Sequence, residues 1–285
     1  MDIYKNTTEM LEKILSINLA SIQKEADNGN LKAIARLGRF YLNGSPDVNP
    51  NSKLGLNLLK KAASKGIDDA YIDLIIYHTL ENKPRKAIEF GQKLYELHKS
   101  NHSKNPSMQS EFDLATDEEY GWGVEQNFAK AIKTYKKLHK KGFKLATFVL
   151  GLKYRDGIGV RKNSRTALNY IKIATEDNSP YAYRELALMQ SGSTAAFKAW
   201  EIAASDSLGD EFAIYKYAEH YIFGKAVDRD WNIAEKLLEN AKSLGSFDAE
   251  YLLNALSDTK KHMIKELGYF DANDNKAMLY LSIFI

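Results

Sequence analysis

Ala146-Thr147-Phe148-Val149-Leu150-Gly151-Leu152-Lys153-Tyr154-Arg155-Asp156-Gly157-Ile158-Gly159-Val160 is the stretch that decides the fold. Alanine, leucine, glycine and tyrosine are separated by four, one and three residues, which places them along one stripe of an α-helix, and a glycine-rich turn follows. The same signature stands at Ala33, Leu37, Gly38, Tyr41 and Gly44. Working outward, alanine recurs at Ala33, Ala70, Ala146, Ala182, Ala213 and Ala249, with Ser110 in the remaining place. Four of the six steps are 36 or 37 residues. A fixed period of that size marks stacked helical units, so the chain reads as all-α.

Each unit is expected to be two antiparallel helices, A and B. In helix A the glycine (Gly38, Gly151) leaves room for helix B to approach closely, at some cost in helix propensity. The turn is Gly121-Trp122-Gly123-Val124 in the third unit, Gly157-Ile158-Gly159-Val160 in the fourth and a variant, Gly224-Lys225-Ala226-Val227, in the sixth. Its glycines allow positive φ, and its valine can plug between helices. Helix B then starts after a capping Asn127, Asn163 or Asp230. It ends at Gly29, Gly66, Gly142 or Gly245, with Asn178 in the same role in the fourth unit.

Two units depart from this pattern. The second lacks the glycine turn, uses a short Glu81-Asn82-Lys83-Pro84 connection, and is read as having a polar loop from Ser100 to Ser107. The fifth is shortened at Gln190-Ser191-Gly192-Ser193. Residues 1–30 read as half a unit ending at Gly29, and 249–268 as a lone final helix A, since the end faces of a stack need caps. The expected organisation is a repeat domain over 1–268 and an apolar tail over 269–285. Exposed, such a tail would promote aggregation, so it is expected to fold back on the last unit or to lie in a partner or a second copy.

The chain has 285 residues, 44% hydrophobic and 27% charged, with net charge +3 and no cysteine. This is a globular composition without disulfide, thiolate catalysis or thiolate metal sites. The N-terminus has no basic region followed by an apolar run, and the longest apolar stretch, Ala277 to Ile285, is too short to span a bilayer. A cytoplasmic location and no membrane partner are therefore the expectations.

The residues quoted resemble the Sel-one-like repeat, a relative of the tetratricopeptide repeat with a longer inter-helix turn. The resemblance covers about residues 10–268 and is clearest in units one, four and six. It implies a right-handed α-solenoid of about six antiparallel helix pairs with terminal half-repeats, whose concave face, lined by helix A, binds proteins. It implies no single activity, since such repeats serve adaptors, scaffolds, enzyme regulators and bacterial immunity proteins.

Catalytic chemistry has no evident carrier. The chain has no phosphate-cradling Gly-x4-Gly-Lys sequence and no nucleophile elbow. Among six histidines only His98 and His102 have a ligand-like spacing. With no carboxylate or third ligand beside them in sequence, they read as structural or surface residues and no metal or cofactor is expected. The acidic run Asp113, Asp117, Glu118 and Glu119 reads as a solvated face or as contacts with lysines. The reading is a non-enzyme.

Two surfaces remain for binding. Lys130, Lys133, Lys136, Lys137, Lys140, Lys141 and Lys144 form one face of a helix B. They could dock phosphate or nucleic acid, but without exposed aromatics and arginines beside them they read first as a solvated outer face. The other surface comes from aligning helix A on its leucine, which puts the family's groove at fixed offsets from the repeat alanine. Arg39, Ile72, Ile76, Phe112, Glu119, Phe148, Leu152, Arg155, Arg184, Tyr215 and Glu219 are the partner-binding residues expected there. Large apolar groups mixed with arginine are what binding hot spots use. The expected function is to hold another protein, most concretely as a bacterial immunity protein that neutralises a toxin, with an adaptor or regulatory scaffold as the alternative.

Overall fold

The computed structural model describes residues 18–44, 48–205 and 209–285, and these form fifteen α-helices. They are α1 (Leu19–Asp27), α2 (Leu31–Asn43), α3 (Ser52–Ala63), α4 (Asp68–Leu80), α5 (Pro84–Lys104), α6 (Met108–Tyr120), α7 (Phe128–Lys140) and α8 (Lys144–Asp156). The remainder are α9 (Ser164–Ala174), α10 (Pro180–Met189), α11 (Thr194–Ala204), α12 (Glu211–Phe223), α13 (Trp231–Ser243), α14 (Phe247–Leu267) and α15 (Asn275–Phe284). Two compact units result, one built of Ala26–Leu42 and Ser52–Ala182, the other centred on Tyr183–Ile285. Most of the half-unit expected over residues 1–30 lies outside the described residues.

The repeat positions do what their chemistry dictates. Ala70, Ala146, Ala182, Ala213 and Ala249 are fully buried, and Ser110 takes the same place. A methyl group on Gly151 would come within 2.6 Å of Ile171 Cδ1, so α8 and α9 are in contact through the missing side chain. In the first repeat the approach is backbone to backbone: Gly38 on α2 faces Gly55 on α3, where a Cβ added at Gly55 would stand 2.7 Å from the Gly38 carbonyl oxygen. Asn127, Asn163 and Asp230 accept hydrogen bonds from the first-turn amides of α7, α9 and α13. In the larger unit Phe112, Tyr135, Leu138 and Leu150 form a continuous core, with Val160 of the turn packed against it.

Helix α5 differs from its expectation. The polar stretch read as a loop from Ser100 is helical to Lys104, so only 105–107 connect it to α6. Asn101, Ser103 and Lys104 are exposed, but two histidines of the helix pair with the next one. His98 Nδ1 lies 2.8 Å from Asp117 Oδ2 and, one turn on, His102 Nδ1 lies 2.8 Å from Ser110 Oγ, both on α6. Such pairings across 19 and 8 residues support a helix that local composition argues against.

The C-terminal residues form α15, which packs antiparallel to α14. Ala277 and Leu281 are fully buried, His262 stacks edge-on with Tyr280, and the Tyr251 hydroxyl donates to the carbonyls of Phe284 and Ile285. Asp274 caps the helix by accepting from Lys276 N.

One buried group on α4 opposes its surroundings. His78 stacks parallel on Phe90 at 5.5 Å, and neither ring nitrogen has a hydrogen-bond partner. Burial lowers its pKa, aided by Lys86, Lys83 and Lys60 and opposed by Glu81. The ring is therefore neutral in the folded chain and takes up a proton more readily when unfolded, near the ordinary imidazole value of about 6.5. Its contribution to stability is complete above that value and is lost as pH falls toward the lowered folded pKa. His78→Phe keeps the stacking and removes two orphaned nitrogens. It is expected to raise stability by about 1 kcal/mol and to reduce the acid-side loss. Urea unfolding at about pH 7 and about pH 5.5 measures both, and an unaltered pH slope would disprove the assignment.

Candidate functional site

Within the larger unit, helix A is presented four times, as α2, α4, α6 and α8. The position six residues after the repeat alanine is the open one: the Arg39 side chain is 51% exposed and Ile76 is 49% exposed, while Thr116 and Leu152 are half-buried. The position two after it is closed further, with Ile72 and Phe148 half-buried. Phe148 and Leu145 line a cleft with Met108, Gln109 and Phe143, where α6 and α8 begin. Leu80, at the end of α4, is 81% exposed. It falls one residue beyond the aligned positions, and its place after Thr79 in an apolar helix is the signal that could have found it.

Electrostatics along this face tie one helix A to the next. Arg39 Nε and Nη2 donate to both carboxylate oxygens of Asp73 on α4 at 3.0–3.1 Å. Arg155 makes a fork of the same kind with its neighbour Asp156. Both pairs are partly solvated and so contribute about 0–1 kcal/mol each to the fold, which leaves the guanidinium groups usable by a partner.

Two of the expected groove residues are not on the accessible face. Phe112 packs against Tyr135 and Phe143, with ring centroids 5.2 and 5.7 Å away, as part of the core of this unit. Glu119 is buried: Oε1 accepts from Lys153 Nζ on α8, and Oε2 accepts from the Tyr135 hydroxyl at 3.0 Å. Burial and the neighbouring Glu119 charge push the Tyr135 phenol well above its ordinary pKa, so it stays a donor. The acidic run is thus a set of internal contacts. Glu118 pairs with Lys130, Glu119 with Lys153 and Asp117 with His98.

In the other unit Arg184 donates to Asp210, the N-cap of α12. Tyr215 is half-buried under Lys216, whose Nζ stands 5.0 Å from the ring centroid and 2.9 Å from Glu219 Oε2. Burial and the nearby Glu219 raise the Tyr215 phenol pKa. Arg184, Tyr215 and Glu219 therefore lie in a different compact unit from Arg39, Ile72, Ile76, Phe148, Leu152 and Arg155.

The lysine face of α7, continued by Lys141 just after it and Lys144 at the start of α8, is largely engaged within the chain. Lys130, Lys137, Lys141 and Lys144 pair with Glu118, Glu111, Glu111 and Glu176, and Lys136 lies over the Tyr154 ring.

A polar cluster lies between the second and third repeats, where the sequence reading places no site. His98 of α5 has Asp117 of α6 on its Nδ1 side, while Asp68, the first residue of α4, has its Oδ2 3.6 Å from Nε2. Asp113, one turn before Asp117, completes the group. The carboxylates absent beside His98 in sequence arrive from the two flanking helices. Burial by itself lowers the His98 pKa, but its contacts with Asp117 and Asp68 outweigh this and hold it at about 10. Burial likewise lifts the Asp113 and Asp117 carboxyls above the usual range.

No described helix is long and apolar enough to cross a membrane. Residues 31–67, 109–138, 144–179 and 212–246 match the Sel1 repeat family. A Sel1-like repeat-containing protein of Acanthamoeba polyphaga mimivirus is 37% identical over 92 residues, which is 31% of this chain and 17% of that protein. A protective antigen of uropathogenic Escherichia coli strains that displays an SLR fold is similar over 93% of this chain and 55% of its own, with TM-score 0.51 and 20% identity. A Sel1 repeat protein from Oxalobacter formigenes matches over 82% of this chain and 68% of its own, at TM-score 0.49 and 22% identity. This chain spans about half the length of the E. coli antigen. Repeats of this kind are protein-interaction modules, and their period, turns and buried glycines are those described above. Four stretches of this chain are Sel1 repeats.

Proposed function

We propose that this chain binds one cognate protein through the helix-A face of its larger unit, and that it acts by occluding that protein. The observation that carries this is the mixture on α2, α4 and α8: exposed Ile76 and Leu80, half-buried Phe148 and Leu152, and the partly solvated Arg39 and Arg155. Apolar anchors ringed by arginine suit a partner that is desolvated on contact. These positions differ from repeat to repeat while the structural ones recur, which favours a single shaped partner over a generic one. A bacterial toxin neutralised by masking its working surface is the specific form we favour. An adaptor would use the same face without abolishing its partner's activity.

The test uses the full chain as bait in its native cell, beside a Phe148→Ala/Arg155→Ala variant. Wild type is expected to retain a partner that the double variant holds at least about 100-fold more weakly, the equivalent of two anchors at about 1.4 kcal/mol each. Circular dichroism should show equal helicity. Equal retention by both forms would overturn the assigned face. A captured partner whose toxicity or activity is unaffected by the chain would leave the adaptor as the function.

A further inference from the structure

We propose that His98 Nε2 with Asp68 and Asp113 binds one divalent transition-metal ion of the zinc class, with Asp117 holding the imidazole from behind. His98 is almost fully buried, yet its Nε2 has no hydrogen-bond partner and points at the carboxylates. Asp68 Oδ1 is likewise buried without a partner. The donor atoms of Asp68, His98 and Asp113 lie within 4.8 Å of one another. The 3.6 Å between His98 Nε2 and Asp68 Oδ2 is too long for a hydrogen bond. It is close to the separation of about 3.4 Å between two ligands of one tetrahedral ion with bonds near 2.0–2.1 Å.

The opposite ring nitrogen has the partner that a metal-bound histidine needs. Nδ1 is 2.8 Å from Asp117 Oδ2, and Asp117 is fully buried on α6. A carboxylate there holds the Nδ1 proton, so that loss of the other ring proton leaves the Nε2 lone pair facing the carboxylates, as in carboxylate–histidine–metal triads. Charge points the same way. Three carboxylates surround a single imidazole, so even a protonated ring balances only one of them. A dication at Nε2 would replace that ring proton, which passes to solvent, and would offset more of the cluster's charge. Imidazole beside carboxylate oxygens selects zinc-class ions over magnesium or calcium, which prefer all-oxygen shells. Asp113 is partly exposed, so water can complete the coordination.

The ion would join α4 and α5, the helices of the repeat that lacks the long glycine turn, to α6, the first helix of the next repeat. The experiment is calorimetric titration of the full chain, without an affinity tag and stripped with EDTA, using Zn2+ in the presence of excess Mg2+. One ion per chain is expected, together with a higher thermal midpoint. Asp113→Asn keeps its size and its contact with Gln109, and His98→Gln removes the nitrogen ligand. Each is expected to weaken Zn2+ by more than about 100-fold, beyond the usual effect of losing a supporting residue. Should His98→Gln fail to fold, Asp113→Asn with unchanged helicity decides alone. No saturable Zn2+ binding by wild type, Mg2+ competing equally, or undiminished binding in Asp113→Asn would each overturn the site.

Discussion

Lys153→Ala is expected to destabilise the protein by about 3–5 kcal/mol, the usual result of leaving one member of a buried ion pair without its partner. The side chains of Lys153 and Glu119 are only 9% and 4% exposed, and the carboxylate also accepts from Tyr135. Without the ammonium, the buried Glu119 carboxylate keeps only neutral phenol donors. The pair joins α6 to α8 while Tyr135 brings in α7, so its loss loosens three helices together. Lys153→Met combined with Glu119→Gln is expected to recover most of the stability, since the remaining amide can still pair with Tyr135 and no charge is stranded. Urea unfolding of the two single variants and the double variant gives the coupling directly. Additive losses would show that the pair acts independently, contrary to the geometry. The same argument removes Glu119 from the partner-binding set: its replacement would be read out as lost stability before any lost binding.

What the sequence revealed and what it concealed divide along this line. Alanine, glycine and tyrosine spacings, helix caps and turn glycines are local signals, and each acts within a few residues of its position. Helix boundaries and close approaches such as Gly151 against Ile171 therefore follow from the repeat alone. Buried charge does not, because it depends on partners far along the chain. Glu119 and Lys153 are 34 residues apart. That is close to one repeat, so an acid near the end of one helix A and a lysine near the end of the next was the available sign. Asp68 and Asp117 reach His98 across 30 and 19 residues, and nothing near His98 announces them. The polar end of α5 was obscured for the same reason, since its support comes from α6. Phe112 shows the opposite error: the groove offset places it by analogy, while its ring packs on Tyr135 and Phe143 in the core.

Gly123→Ala is expected to cost about 2–5 kcal/mol, combining overpacking at about 1–3 kcal/mol with left-handed backbone at about 1–2 kcal/mol. Gly123 has φ +70°, and a Cβ there would stand 2.8 Å from Tyr95 Cβ, 2.9 Å from Gln92 Cα and 2.9 Å from the Gly91 carbonyl oxygen. Two of those three atoms are backbone of α5, so no side-chain rotation relieves the overlap. Ala226 holds the equivalent turn position in the sixth repeat at φ +66° with its methyl group in place, which shows that the backbone conformation alone is tolerated. The decisive term at Gly123 is therefore its contact with helix B of the preceding repeat. Gly159 makes the same kind of approach to Ile132 and Phe128 on α7. Gly91 supplies the control from the other side of the contact: its added Cβ would meet the turn no closer than 3.4 Å. Gly91→Ala also gains about 1 kcal/mol of helix propensity. It should thus be neutral or stabilising where Gly123→Ala is damaging, although the two glycines face each other. Thermal and urea unfolding of the two variants separate the possibilities. Equal losses would mean that the close packing of α5 on the turn does not set the requirement for glycine, and that the second glycine of the motif serves its own backbone only.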